Sequence, residues 1–318
     1  MGRPVAQDSS QAAYRDGRGE SRVGDNLIGA GWMIASCVAA TGMSVGVRTL
    51  SEHLEAPMIA FLRCLLGLWI LAPMLLDGTL PGVRLTRPWL HLLRGVLMGG
   101  ALNFGYFALG ALELTTATLL FFLAPVFATV LAGPILGERV GAPRWAAVGT
   151  GFLGAILILR PGAAPLEAGA VAAVASALCF AVSLMMSRII GREDGPRAVM
   201  VTSTVVATLI SLPPALLVWR LPDSLTLWGW IAFLVLASSA RMYADIAAYT
   251  RGEAGFIAPF SYLRLLFVGL AGWLLFSETP DEWEALGGSV IVLSTLVIAY
   301  RERRAGRAVS DGAPGPGP

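Results

Sequence analysis

Long apolar segments separated by short polar stretches run through most of the chain. A membrane-spanning helix needs roughly 20 mostly apolar residues to cross about 30 Å of hydrocarbon. Ten segments meet or approach that length, and each is predicted to be a helix: residues 27–47, 56–76, 89–109, 112–136, 145–160, 168–189, 198–218, 228–249, 254–276 and 284–300. The pattern therefore predicts an all-α membrane protein with ten transmembrane helices.

The two ends of the chain differ from these segments in composition. Residues 1–26 are polar and contain no apolar run long enough for the core of a cleavable signal peptide. Residues 302–318 are also polar and end in the Pro/Gly-rich run DGAPGPGP. Such composition buries too little apolar surface to form a core, so we predict a disordered cytosolic tail at each end.

One stretch of the pattern occurs twice. Residues 111–138 read ALELTTATLLFFLAPVFATVLAGPILGE, and residues 251–278 read RGEAGFIAPFSYLRLLFVGLAGWLLFSE. At an offset of 140, Glu138 falls on Glu278, and each copy is an apolar segment that ends in Glu before a polar turn. Many secondary transporters are built from two such repeats, with substrate bound between them.

The distribution of arginine predicts how the segments are oriented. All 23 residues counted as Lys plus Arg are Arg. With a cytosolic N-terminus, 16 of them lie in inside segments and 3 in outside loops, and positively charged loops favour the cytosol. Both termini are therefore predicted to be cytosolic. A five-helix unit is odd and inverts on duplication, so we predict two inverted repeats, residues 27–160 and 161–301, around a central cavity.

Short motifs carry a resemblance to a known family. They are Phe61-Leu62-Arg63, the L-x-P-V-F-A run from Leu123 to Ala128, and LGERV from Leu136 to Val140. Together with the five-plus-five pattern, they resemble the drug/metabolite transporter superfamily, EamA type, over residues 27–301. The second half, with APFSYLRLLF and then FSETPD, resembles a branch that includes riboflavin and S-adenosylmethionine importers.

The resemblance implies a central cavity, with the fifth and tenth helices set apart from it. It also implies movement of a small polar or amphipathic metabolite through the bacterial inner membrane. It does not specify the substrate, because related members carry amino acids, nucleobases, vitamins and drugs.

Ionisable side chains deep in the predicted helices are the first candidates for substrate binding, because charge in hydrocarbon usually faces a cavity or a partner. Arg241 and Arg264 lie near the middle of their segments. Arg241 can pair with Asp245 four residues later on one helix face, which leaves Arg264 in need of an anion. A substrate carboxylate or phosphate would supply it. A purely structural pair, with backbone carbonyls or Glu113 serving Arg264, is the alternative.

Polar and aromatic residues at similar depth complete the predicted substrate-binding set. They are Asn103 and Tyr106 in the third segment, Tyr243 in the eighth, and Ser261 and Tyr262 in the ninth. Rings stack on planar substrates, while hydroxyls and amides fix their orientation. Ordinary packing with internal hydrogen bonds is the alternative for each of them.

Other buried charges have predicted roles outside direct binding. Arg63 lies about 10 Å from the outer end of its segment and either holds a gate or supports helix packing. Asp245 is the candidate for coupling transport to a proton. His91 and Arg94 lie near the cytosolic end of the third segment, where we expect them to snorkel toward the interface. Glu278 is predicted to be a turn and interface residue.

Two prolines inside segments indicate interruptions of the helices. Pro125 lies in the fourth segment and Pro259 in the ninth, one in each repeat. Each removes a backbone hydrogen bond and kinks its helix, and paired interruptions point to the binding region of a repeat transporter. Because the two are 134 residues apart rather than 140, the kinks are expected at different depths.

Several function classes lack the motifs they require. The chain has no Walker motif, no cluster of His, Cys and Asp with metal-ligand spacing, and no disulfide pattern among Cys37, Cys64 and Cys179. We expect no enzyme activity, cofactor, metal or nucleic-acid partner. The expected partners are a small-molecule metabolite, the lipid bilayer and, as an alternative, a proton. A channel of the same fold and an intramembrane enzyme remain alternatives, and no feature distinguishes a monomer from a homodimer.

Overall fold

The computed structural model describes residues 7–76, 85–136, 142–159, 167–251 and 257–311, which are helical and contain no strand. The helices are α1 (Gln7–Ser51), α2 (Ala56–Leu76), α3 (Pro88–Ala111), α4 (Leu114–Phe121), α5 (Ala124–Leu136), α6 (Ala142–Leu159), α7 (Ala168–Glu193), α8 (Gly195–Leu217), α9 (Leu225–Arg251), α10 (Leu263–Phe276) and α11 (Glu282–Asp311), with a 3₁₀ helix at Ala258–Tyr262. The predicted all-α class is confirmed.

Length and hydropathy mark many of these helices as suited to a membrane. Six stretches are long and apolar enough to cross one: Asp25–Ser51, Pro88–Ala111, Leu114–Leu131, Ala168–Ser187, Ala198–Leu217 and Leu225–Arg251. Shorter apolar helices cover Ala56–Ile70, Val148–Leu159 and Phe260–Phe276. Each of these stretches falls on one of the predicted segments, which gives the architecture of a multi-pass membrane protein.

The first and last helices extend into the two stretches predicted to be disordered tails. α1 begins at Gln7 and α11 ends at Asp311, so both tails are helical next to the apolar segments. Ala, Arg, Gln and Glu in these stretches favour helix, and extending an existing helix costs less than nucleating one. Residues 1–6 and 312–318, and the predicted boundary between the repeats at 160 and 161, lie outside the described residues.

The main hydrophobic core lies where helices from the two halves of the sequence meet. α1 packs on α9, α3 packs on α7 and α8, and α2 packs on α8. Large side chains buried there include Leu50, Met58, Leu109, Leu120 and Leu234. Because α1 to α6 come from the first half and α7 to α11 from the second, neither half buries its apolar faces alone.

α6 and α11 form a separate close pair in which two glycines allow the backbones to approach. A Cβ added at Gly154 would lie 2.7 Å from the carbonyl oxygen of Gly287, and one added at Gly287 would lie 2.6 Å from that of Gly154. Real Cβ atoms do not come that close to backbone oxygen, so only glycine fits at either position.

Replacing Gly154 with Ala is therefore expected to destabilise the protein by about 1–3 kcal/mol, the usual cost of forcing extra atoms into a packed interface. Gly149 is the matched control, because it lies in the same helix and has nothing within 4 Å of the position its Cβ would take. Thermal unfolding of Gly154→Ala and Gly149→Ala measures the difference. Equal melting temperatures for the two variants would contradict the tight α6–α11 contact.

Candidate functional site

The fourth predicted segment is interrupted where Pro125 begins a new helix. α4 ends at Phe121 and α5 starts at Ala124, with Phe122 and Leu123 forming a turn between them. Pro125 lies in the first turn of α5, where its missing N–H loses no helical partner, while its ring prevents α4 from continuing. The Leu123 N–H donates to the Leu120 carbonyl at 3.1 Å, which tightens the end of α4.

The ninth predicted segment has a 3₁₀ helix, Ala258–Tyr262, with Pro259 at its start. The Cys37 thiol of α1 donates to the carbonyls of Phe260 and Ser261 at 3.5 and 3.6 Å. The irregular stretch ends at Tyr262, which is 140 residues after Phe122. Pro125 follows the first interruption, whereas Pro259 lies at the start of the second.

Phe122 and Tyr262 also contact each other. Their rings stack with centroids 5.3 Å apart and planes inclined by 20°. An offset stack of this kind is a favourable aromatic geometry. It joins the two interrupted segments at their turns.

A cavity of about 260 Å³ lies beside these turns. Its wall is formed by residues from α1, α2, α3, α4, α5, α7, α9 and α10, and thus from both halves of the chain. Phe121, Phe122 and Phe180 supply aromatic surface. The polar or charged residues of the wall are Arg63, Tyr106, Ser176, Arg241 and Arg264.

The three cavity arginines differ in their partners. Arg241 Nε lies 3.7 Å from Asp245 Oδ2, the i,i+4 geometry expected from their spacing, and Asp245 also accepts from the Ser36 hydroxyl. Arg63 Nε donates to Ser238 Oγ at 3.3 Å, which links α2 to α9. Arg264 Nε is buried and has no hydrogen-bond partner. The cavity therefore contains one neutralised arginine and two without a carboxylate partner in the described part of the chain.

Tyr106 is the predicted residue most fully enclosed at the cavity. Its side chain is 2% exposed, and its hydroxyl has no hydrogen-bond partner. A buried hydroxyl without a partner costs free energy. Either this cost is an uncompensated loss of stability, or the hydroxyl forms its hydrogen bond with a bound ligand.

Other predicted residues do not line the cavity. Asn103 donates to Gly99 O and Ser211 Oγ, both at 2.8 Å, and so joins α3 to α8. Tyr243 is 62% exposed and meets Trp32 edge to face. Tyr262 stacks on Phe122, which lines the cavity, and the Ser261 carbonyl accepts from the Cys37 thiol. The spacing that placed these residues at one depth did not specify which face of each helix they occupy.

Little in the sequence indicated the aromatic half of the site. Phe121, Phe122 and Phe180 are ordinary apolar residues within apolar segments, as are Met43 and Met98. Only the position of Phe121 and Phe122, four and three residues before Pro125, could have marked them as residues of an interruption.

A second polar cluster joins α3, α7 and α8 away from the cavity. His91 Nε2 lies 2.8 Å from Asp194 Oδ2, and His91 Nδ1 lies 2.9 Å from Thr202 Oγ1. The Thr202 hydroxyl also donates to Ala198 O at 2.7 Å. His91 is thus bonded through both ring nitrogens, to a carboxylate on one side and to a hydroxyl on the other.

This cluster corrects the expectation that His91 and Arg94 snorkel. His91 is buried inside the bundle, and Arg94 donates to Ser187 Oγ at 2.6 Å and to Val199 O at 3.1 Å. Internal partners on α7 and α8 replace the water that snorkelling would have reached. Hydrogen bonds from Thr86 and then His91 lower the pKa of the Asp194 carboxyl below its ordinary value.

A third cluster surrounds the junction between α3 and α4. Glu278 is buried and accepts from the Leu114 N–H at 2.8 Å, so it caps α4 from the end of α10. Arg48 lies 3.9 Å from Glu278 and donates to Gly110 O at 2.6 Å. Burial, followed by the nearby carboxylates of Glu284 and Glu278, raises the pKa of Glu113. Glu278 is thus the interface residue that the sequence predicted.

Membrane-length helices that line a cavity with charged and aromatic walls define a multi-pass membrane protein. Comparison with protein families gives the chain a more specific assignment. The chain belongs to the EamA-like transporter family, whose model matches residues 27–160 and 167–300. The two matches begin 140 residues apart, the offset at which the sequence aligns with itself.

Relatives of the chain are similar over nearly its whole length. The S-adenosylmethionine uptake transporter of Rickettsia conorii is 28% identical over 281 residues, 88% of this chain and 95% of the relative. The riboflavin transporter of Rhizobium johnstonii is 30% identical over 281 residues, 87% and 93% of the two chains. A chain from a crystal structure shares the fold, with a TM-score of 0.59 and 21% identity over 90% of this chain and 99% of that one.

Replacing Asp194 with Asn is expected to lower the melting temperature at pH 7, because His91 and Thr86 lose an ionised acceptor. The lowered pKa means that the ionised carboxyl stabilises the fold above a pH of about 3.9 and that this contribution is lost as the pH falls through the folded-state value. The difference in melting temperature between wild type and variant should therefore become smaller in acid, as measured by thermal unfolding from pH 7 to pH 3. Asp223→Asn, at an exposed ion pair, is the control. A difference independent of pH would contradict the assignment.

Proposed function

We propose that this chain is a secondary carrier that moves a small polar or amphipathic metabolite across the bacterial inner membrane, with both termini in the cytosol. The observation that carries the proposal is the cavity, which is enclosed by helices from both halves and lined by Arg63, Tyr106, Arg241 and Arg264. Membership of the EamA-like transporter family supports the same class of function.

We further propose that ten helices form two inverted five-helix repeats. The offset of 140 relates α1 to α7 and α3 to α9, and the packing of α1 on α9 is matched by that of α3 on α7. The offset of 140 also relates Gly151 to Ile291 and Gly154 to Ser294. The close contacts of α6 and α11 are reciprocal in the same way, since a Cβ on Gly151 would meet Ser294 and one on Gly154 would meet Ile291. Reciprocal contacts of this kind are expected of a two-fold axis between repeats.

Alternating access follows from this arrangement. The cavity lies beside the turns at Phe122 and Tyr262, where two segments change from one helix to another. Helices bend most readily at such interruptions, because a proline there removes one helical hydrogen bond. α3, α4 with α5, α9 and α10 are the proposed moving elements, with Pro125 and Pro259 at their interruptions.

The names of the relatives suggest a class of substrate for this chain. S-adenosylmethionine and riboflavin are each a planar heteroaromatic ring joined to a flexible polar part. The cavity offers aromatic surface at Phe121, Phe122 and Phe180 and polar groups at its arginines, which suits the same combination. We therefore propose a metabolite with a planar ring and a polar substituent.

Transport by purified protein in liposomes tests the carrier assignment. Radiolabelled riboflavin and S-adenosylmethionine are the probes, and we expect saturable uptake of at least one, accelerated when the same compound is preloaded inside. Acceleration of this kind requires a site that faces one side at a time. Uptake without saturation or acceleration would indicate a passive channel, and chemical conversion of the probe would indicate an enzyme.

Proton coupling is proposed to depend on Asp245, whose carboxylate is held by Arg241 and Ser36. Asp245→Asn cannot release a proton, so it is expected to abolish uphill accumulation driven by a pH gradient while sparing exchange of internal for external substrate. Asp223→Asn should retain both activities, since Asp223 is exposed and pairs with exposed Arg220. Unchanged accumulation in Asp245→Asn would exclude this residue as the coupling group.

A further inference from the structure

Positive charge exceeds negative charge on the cavity wall. Three arginines line the cavity, and the carboxylate of Asp245 is within ion-pairing distance of Arg241. Within the described ranges, no carboxylate lies within 4 Å of Arg63 or Arg264. Two guanidinium groups are therefore held in the interior of a membrane protein without a protein counter-ion in that part of the chain.

Hydrogen-bond donors on the same wall also lack acceptors. Arg264 Nε and the Tyr106 hydroxyl are buried without partners. Arg63 uses Nε on Ser238 and another nitrogen on the Cys64 sulfur at 3.7 Å, and sulfur is a weak acceptor. Unsatisfied groups of this kind cost free energy, and buried charges without partners cost more.

These residues lack the same kind of partner, since each side chain can donate a hydrogen bond and two of them carry positive charge. One group satisfies all of them, namely an anionic oxo group with several lone pairs. Arginine binds carboxylate and phosphate through two parallel hydrogen bonds, and such charge-assisted bonds are stronger than neutral ones. A cationic ligand without an anionic group would instead add to the excess positive charge.

We propose that Arg63, Arg264 and Tyr106 bind an anionic oxo group, a carboxylate or a phosphate, of the transported metabolite. The inference rests on the proposed carrier function and narrows its substrate to compounds that bear such a group. Arg241 is not part of this anion site, because Asp245 already neutralises it. The ring of the same metabolite lies against Phe121 and Phe122 on the apolar wall.

Matched pairs of compounds test the proposal on the purified full-length protein by ligand-induced thermal stabilisation. Riboflavin 5′-phosphate is compared with riboflavin, and S-adenosylmethionine with decarboxylated S-adenosylmethionine, which lacks only the carboxylate. We expect the member of at least one pair that bears the anionic oxo group to bind about tenfold to a hundredfold more tightly. Which pair shows the preference distinguishes phosphate from carboxylate. Arg264→Gln and Tyr106→Phe should reduce that preference, whereas Arg220→Gln, at an exposed arginine, should leave it unchanged.

The ligand-free protein gives an independent readout. If Arg264 is a buried charge whose counter-ion is the bound anion, its removal should not destabilise the ligand-free protein. The melting temperature of Arg264→Gln without ligand should then equal or exceed that of the wild type. A structural arginine would give the opposite result, so a lowered melting temperature overturns the proposal. Equal stabilisation within both pairs, including none, also overturns it.

Failure of the inference is separable from failure of the carrier assignment. Saturable, exchange-accelerated uptake of riboflavin without any anionic preference would leave the carrier function intact and remove the anion site. An anionic preference lost in Arg264→Gln, without transport of any probe, would keep the anion site and remove the carrier function.

Discussion

Hydrocarbon offers no hydrogen bonds, and this constraint accounts for most of the molecule. Backbone N–H and C=O groups must find partners within the protein, so the membrane-length segments are helices. Where a helix is interrupted, the interruption lies inside the bundle and receives its own partners. Leu123 bonds back to Leu120 at the first turn, Cys37 donates to carbonyls of the 3₁₀ helix, and Glu278 caps α4 at Leu114.

The same constraint applies to charged side chains, which also need partners within the protein. A charged side chain with an unsatisfied donor or acceptor therefore indicates a place of special interest. Asp194 lies against His91, Asp245 pairs with Arg241, and Glu278 lies near Arg48. Arg94 instead donates to a hydroxyl and a carbonyl. Arg264 retains a buried donor without an acceptor, and it lies on the cavity wall. The Tyr106 hydroxyl lies on the same wall and likewise has no partner, as expected when binding and stability make opposite demands.

Sequence reasoning succeeded where a one-dimensional signal was sufficient. Segment hydropathy indicated the helices, the motifs indicated the family, and the depth of Arg63, Arg241 and Arg264 marked residues that line the cavity. The i,i+4 spacing of Arg241 and Asp245 specified a contact within one helix, so no tertiary information was needed.

The sequence could not specify which way a side chain faces in a bundle where nearly every residue is apolar. Tyr243 and Asn103 lie at a suitable depth, yet one faces outward and the other faces α8. The partners of His91 are more than 100 residues away, and no local pattern pairs it with Asp194. The pairing of Phe122 with Tyr262 can be recognised only in the structure, where their rings stack, because neither residue is unusual in its own segment.

The packing of α6 on α11 has a consequence for the history of the chain. The offset of 140 exchanges two of its contacts, since Gly151 approaches Ser294 and Gly154 approaches Ile291. If the chain arose by duplication, a single ancestral helix once met a copy of itself across this contact, and one substitution altered both sides together. After gene fusion, the two sides could mutate separately, so Gly151 and Ile291, or Gly154 and Ser294, record how far the two copies have diverged.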